Sequence, residues 1–110
     1  MSRKRQPGEK RAAVELAALG NATRLRVFKL LVRAGHDGLN VGNIQRHLRI
    51  PASTLAHHLS TLTRSGLLRQ SPHGREVNCT VDFEAMNALV AYLTEQCCSG
   101  VHLEDSTRVA

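Results

Sequence analysis

The chain has 110 residues, enough for one domain with a modest core and too few for two, and its 15 Lys and Arg against 9 Asp and Glu leave a net charge of +6 that favours a polyanionic partner. No apolar run approaches the roughly 20 residues of a bilayer span, and no signal-peptide stretch follows the charged start MSRKRQPGEKR, so a cytoplasmic protein with no membrane partner is expected. Phe28, Phe83 and Tyr92 are too few for a base-stacking single-strand binder, which leaves duplex DNA, and the odd count of 3 cysteines argues for reduced thiols rather than a disulfide framework.

Residues 1–8 carry Arg3, Lys4, Arg5, Pro7 and Gly8 without apolar periodicity and read as a disordered basic arm. A domain is expected over 9–98, followed by a flexible tail over 99–110. It opens with EKRAAVELAALG, an Ala- and Leu-rich helix that stops at Gly20. Asn21 then offers an N-cap to a second helix in which Leu25, Phe28, Leu31 and Val32 recur at helical spacing before Gly35. HDGLN reads as a polar turn, after which Asn40 caps a short third helix with Val41, Ile44 and Leu48 on one side. Beyond Ile50-Pro51 a fourth helix places Leu55, Leu59 and Leu62 inward and ends at Gly66. LLRQS and REVNCTV then read as strands around a turn at Pro72-His73-Gly74. The last helix is expected from about Asp82 to Cys98, with Met86, Val90, Leu93 and Cys97 forming a seam that calls for a partner. Two short helices joined by a tight turn and followed by a β-hairpin make a winged helix-turn-helix, mainly α with a hairpin wing.

In such a fold the second helix of the pair needs an apolar inner face and short polar groups outside, where they can reach base edges in the major groove. Residues 51–66 meet both demands, with Ser53, Thr54, His57, Ser60 and Thr61 outward. Arg64 and Arg69 stand where phosphates could lie, and His73 and Arg75 at the wing tip could enter an adjacent minor groove.

The segments LGNATRLRVFKLL, STLAHHLSTLTRSGLL, GREVNCTV and ALVAYLTEQCC together resemble the ArsR/SmtB family of bacterial metal- and metalloid-responsive repressors, over about residues 12–98. The resemblance implies a homodimer built on the first and last helices that binds double-stranded operator DNA, with His58 belonging to the fold and His57 facing DNA. His57 and His58 are about 100° apart around a helix, so they cannot offer nitrogens to one metal as an i, i+4 pair can.

The family's Cys-x-Cys at the start of the third helix is replaced here by Asn40-Val41-Gly42, and the last helix lacks the histidines of the zinc and nickel sensors. What remains is Cys97-Cys98, similar to the arsenic-responsive branch with adjacent cysteines at the end of the last helix. Thiolates suit As(III), which forms up to three sulfur bonds. A methyl or phenyl arsenical already spends one valence on carbon and is satisfied by two thiols, so arsenite or an organoarsenical such as methylarsenite is the expected inducer, and no cofactor is required for the apo fold. Two readings of Cys79 stay open. It is a third ligand reaching the pair from the partner subunit, since about 16 helical residues put roughly 24 Å between Cys79 and Cys97 of one chain. Alternatively it is a small hydrophobe on the strand face of Val77 and Val81. The rival sensing chemistry is oxidation or persulfidation of the thiol pair. An enzyme is not expected, because no nucleophile with a positioned base or oxyanion loop is visible.

Overall fold

Three side chains decide where helices begin. Asn21 Oδ1 accepts from the Arg24 amide at 2.9 Å, Asn40 Oδ1 from the Asn43 amide at 2.8 Å, and Asp82 Oδ1 from the Ala85 amide at 3.0 Å, each satisfying a first-turn donor that has no partner within its helix. The computed structural model describes residues 7–101. In chain order they form α1 (Glu9–Leu19), α2 (Ala22–Ala34), a 3-10 turn (Gly35–Asp37), β1 (Leu39–Asn40), α3 (Val41–Leu48), α4 (Ala52–Ser65), β2 (Leu68–His73), β3 (Glu76–Val81) and α5 (Phe83–Thr94). Most of the expected basic arm and tail, residues 1–6 and 102–110, lie outside the described residues.

The helices enclose one core. α2 contributes Val27, Phe28, Leu30 and Leu31, α3 contributes Ile44, and α4 contributes Leu55, Leu59 and Leu62, against which Leu67, Leu68, Cys79 and Val81 pack from the sheet. Leu25, expected to point inward, is 43% exposed. The inner stripe of α2 is instead centred on Val27 and Leu31, both at 0% exposure, which turns Leu25 outward.

Three local readings are corrected by the sheet and the last helix. The HDGLN segment is only partly a turn, since Leu39 and Asn40 pair antiparallel with Cys79 and Asn78 and make the wing a three-stranded sheet of order β1-β3-β2. Gly38 makes this possible, because its φ of 70° and ψ of −165° fall in a region open essentially to glycine and bring the chain against β3. A Cβ at Gly38 would overlap the Cys79 carbonyl oxygen, and Asn78 Nδ2 fastens the same junction by donating to the Asp37 carbonyl at 2.9 Å.

The hairpin turn lies at Gly74-Arg75, not at Pro72-His73-Gly74. Positive φ at Gly74 (67°) but not at Arg75 is the sign pattern of a II′ turn, which matches the twist of flanking strands. Pro72 sits within β2 opposite Val77, tolerated because β2 is an edge strand with no neighbour on its far side. Finally, α5 stops at Thr94, short of Cys98. The Thr94 hydroxyl turns back to the Val90 carbonyl at 3.0 Å, and residues 95–98 form a looser turn in which the Cys97 amide donates to the Thr94 carbonyl at 3.0 Å.

Because β1 joins the sheet only if the chain can pass so close to β3, Gly38→Ala is expected to lower stability by about 2–4 kcal/mol in urea unfolding. Gly8→Ala is the control, since nothing lies within 4 Å of the added Cβ and its φ is −75°. It should leave the midpoint unchanged.

Candidate functional site

α4 is seated by its buried stripe, and the seating decides what it shows to solvent. With Leu55, Leu59 and Leu62 inward, Ser53, Thr54, His57 and Ser60 are exposed and Thr61 is half-buried at the edge. Arg64 is exposed and donates from Nη1 to Ser60 Oγ at 2.8 Å, which lays the guanidinium along the outer face of the helix. Pro51 supplies no side-chain cap, so the first-turn amides of α4 remain donors pointing at whatever approaches this end. The face carries hydroxyls, one imidazole and cations with no acidic residue anywhere on α4, which suits base edges and phosphates together.

The wing tip lies on the same chain a short way on. His73 and Arg75 are exposed on either side of Gly74. Arg69 Nη2 lies 3.0 Å from Asp82 Oδ2, an ion pair that ties β2 to the start of α5 while the arginine side chain stays 68% exposed. Arg46 was not singled out from the sequence. It lines a cleft of about 420 Å³ with Arg75, Glu76 and Val77 between α3 and the wing, and its guanidinium reaches Asn43 Oδ1 on its own helix. Asn40 Nδ2 donates across that cleft to Glu76 Oε1 at 2.9 Å. The sequence signal for it was an arginine on the polar side of a short helix, far along the chain from the wing residues that share its cleft.

His57 and His58 part company as their spacing requires. His57 is exposed, whereas His58 is 7% exposed, with Nδ1 3.5 Å from Arg24 Nη1. Arg24 Nε in turn donates to the Ala18 carbonyl at 2.6 Å, so one chain of contacts links α4, α2 and the end of α1. Burial pushes the His58 pKa below its ordinary value, and the charges of Arg24 and then His57 push the same way.

The three cysteines occupy two different environments. Cys97 and Cys98 are both exposed just past the end of α5, with their sulfurs 2.9 Å apart and Cys98 at a φ of 64°. The hydrogen bond with Cys98 raises the Cys97 pKa, with a smaller contribution from desolvation. Of the two readings of Cys79, third ligand or small hydrophobe of the strand face, its burial favours the second. The residue has 0% exposure between Leu39 on β1 and Gln70 on β2, and burial pushes its thiol up to about 11. Among the described residues no three His, Cys, Asp or Glu side chains gather into a metal-holding group.

Comparison with known proteins agrees with this geometry. Residues 19–71 match the helix-turn-helix domain family. The structure of HlyU from Vibrio cholerae is 30% identical, with a TM-score of 0.62 over 79% of this chain and 95% of that one; HlyU is described as a transcriptional activator. An ArsR family transcriptional regulator is 25% identical with a TM-score of 0.69, covering 84% of this chain and 92% of that one. A candidate regulator of arsenical resistance is 27% identical with a TM-score of 0.64, covering 74% and 81%.

The buried His58 yields a pH test. Its folded pKa is depressed below the ordinary 6.5, so the stability it contributes is present above about pH 6.5 and is lost as pH falls below it, because protonation then favours the unfolded chain. His58→Gln is therefore expected to flatten the fall in urea midpoint between about pH 7 and pH 5, while the exposed His57→Gln, which removes only the smallest of the influences on His58, changes that slope less.

Proposed function

We propose, from the premise that the chain belongs to the winged helix-turn-helix transcriptional regulators of the ArsR/HlyU type, that it is a homodimeric repressor released from its operator when trivalent arsenic bridges Cys97 and Cys98. The observation that carries the arsenic reading is the pair of exposed thiols with sulfurs 2.9 Å apart. Two adjacent thiols at the open end of a helix have no packing rationale, and one small soft centre can bond to both. Methylarsenite, with two hydroxyls, takes up the two thiols; two As–S bonds form, two As–O bonds break, and each hydroxyl leaves as water with a thiol proton. No oxidant or reductant is involved. With Cys79 enclosed in the core, a two-thiol site satisfies a monoalkyl arsenical fully and leaves arsenite one hydroxyl, so the methylated species is the preferred inducer.

The dimer reading rests on a second observation. Val14 and Leu16 on α1 and Val90 and Leu93 on α5 are 42–56% exposed, although α1 and α5 pack on each other, so these helices leave apolar surface for a second copy. The cysteine pair lies just beyond the α5 part of that surface, while the other end of α5 is joined to the wing by Asp82, which caps the helix and holds Arg69. A ligand that shifts the dimer contact by a few kcal/mol between two arrangements would change the spacing of the two reading heads and hence operator affinity.

Fluorescence anisotropy with the upstream promoter duplex tests the reading. Methylarsenite should release the wild-type protein, whereas Cys97→Ser and Cys98→Ser should bind the duplex normally and fail to release. Cys79→Ser should still respond with unchanged arsenical affinity. Release by peroxide and not by arsenicals would replace arsenic with thiol oxidation as the signal.

The reading face has its own test. Arg75→Ala should weaken binding to all duplexes and lower the salt slope by about 1 if it contacts one phosphate. His57→Ala should cost about 1–3 kcal/mol on the operator and little on random DNA.

A further inference from the structure

Outside the DNA-reading face and the cysteines, the feature least explained by the fold is a cavity of about 680 Å³ between α2 and α3. Leu25, Leu30 and Leu48 line it together with Arg26, Lys29, Arg33 and His47, and of the leucines Leu25 is exposed, Leu48 half-buried and Leu30 buried. None of its lining residues belongs to α4 or to the wing. Leu25 is 43% exposed here, where a basic helix face would have no use for a leucine unless something apolar covers it. Neither α2 nor α3 contains an aspartate or glutamate, so neither helix supplies a counter-charge to these cations.

We infer that this cavity is a binding site for a small amphipathic anion, a carboxylate or similar oxyanion head on an apolar body. The argument is complementarity of two kinds at one place. The leucines accept a hydrocarbon or ring, and the cations beside them, each on a long flexible stem, accept the head. A phosphate of the duplex would use the cations and leave Leu25 wet. An acidic amphipathic helix would need apolar anchors along a groove of several turns, whereas the apolar surface here is a single patch of three leucines. The volume lies within the usual range of small-molecule sites, about 300–1,000 Å³. Arg26 Nη2 also donates to the Leu48 carbonyl at 3.5 Å, a contact between α2 and α3 made by two residues that line the cavity.

The test uses the full chain and dodecanoate below its micelle-forming concentration, followed by two-dimensional NMR. Saturable shifts centred on Leu25, Leu30 and Leu48 are expected, with no comparable effect from acetate, which lacks the tail, or dodecyltrimethylammonium, which reverses the head. The double variant Lys29→Glu/Arg33→Glu should weaken binding by at least about tenfold. Leu25→Glu, at an exposed position, should do the same, with circular dichroism confirming that each variant is folded. Equal binding of the ammonium would overturn the inference, as would shifts centred on Val14, Leu16, Val90 and Leu93. A random duplex that shifts Lys29 and Arg33 where dodecanoate does not would assign those cations to DNA and overturn it too.

Discussion

The rest of the molecule depends on how α4 is rotated about its own axis. Leu55, Leu59 and Leu62 recur at the spacing of one helix face, and burying all three fixes a rotational setting that keeps every leucine of the helix from water. That setting places Ser53, Thr54, His57 and Ser60 in solvent as one surface. His58 reinforces it, because its ring would have to abandon Arg24 and enter water if the helix turned. An exposed surface of short polar side chains is thus a by-product of core packing. Its chemistry can change without loss of the fold so long as the leucine stripe is kept.

The sheet extends the same constraint to the rest of the binding face. β1 is only two residues long, yet it hands the chain directly to the Asn40 cap of α3 while pairing with β3. Asn40 therefore has two tasks, since its Oδ1 starts α3 and its Nδ2 holds Glu76 near the wing tip. The helix-turn-helix and the wing are bound to one another through this residue and through Gly38 behind it. Asp82 plays the matching part at the other end of the hairpin, capping α5 and holding Arg69 of β2. Two polar side chains, each with one acceptor spent on a helix cap, couple the wing to the helices on both sides.

Much of this was legible because helices announce themselves locally. Asn21, Asn40 and Gly66 mark boundaries by side-chain or backbone chemistry that involves only their near neighbours, and all three stand at helix ends. The misreadings share a different cause. β1 needs a partner 38 to 40 positions away, and nothing within HDGLN records that Cys79 and Asn78 will lie beside it. Pro72 reads as a turn residue until the strand is known to be an edge, and Leu25 reads as core until Val27 and Leu31 are seen to win the inner face. The polar face of α4 could be read from periodicity alone, but the engagement of Arg69 by Asp82 and the placing of Arg46 against the wing are long-range facts. Sequence spacing specifies a helix face; it does not specify what the face meets.

The cysteines show why burial, more than residue type, decides chemistry. Cys79 sits in a sheet interior where desolvation disfavours the thiolate, and the thiolate is the form that attacks or ligates. The same residue in water would be a soft ligand; enclosed between β1 and β2 it is a small apolar group packed into the core. Cys97 and Cys98 are denied any such packing by the end of α5 at Thr94. Had the helix continued, the two side chains would have diverged by about 100° around its axis. Its termination, with Cys98 taking a left-handed backbone, is what lets the two sulfurs approach each other. The closeness of the two sulfurs is therefore a property of the helix end, and a substitution that prolonged α5 through Cys98 would separate the thiols while leaving both in solvent.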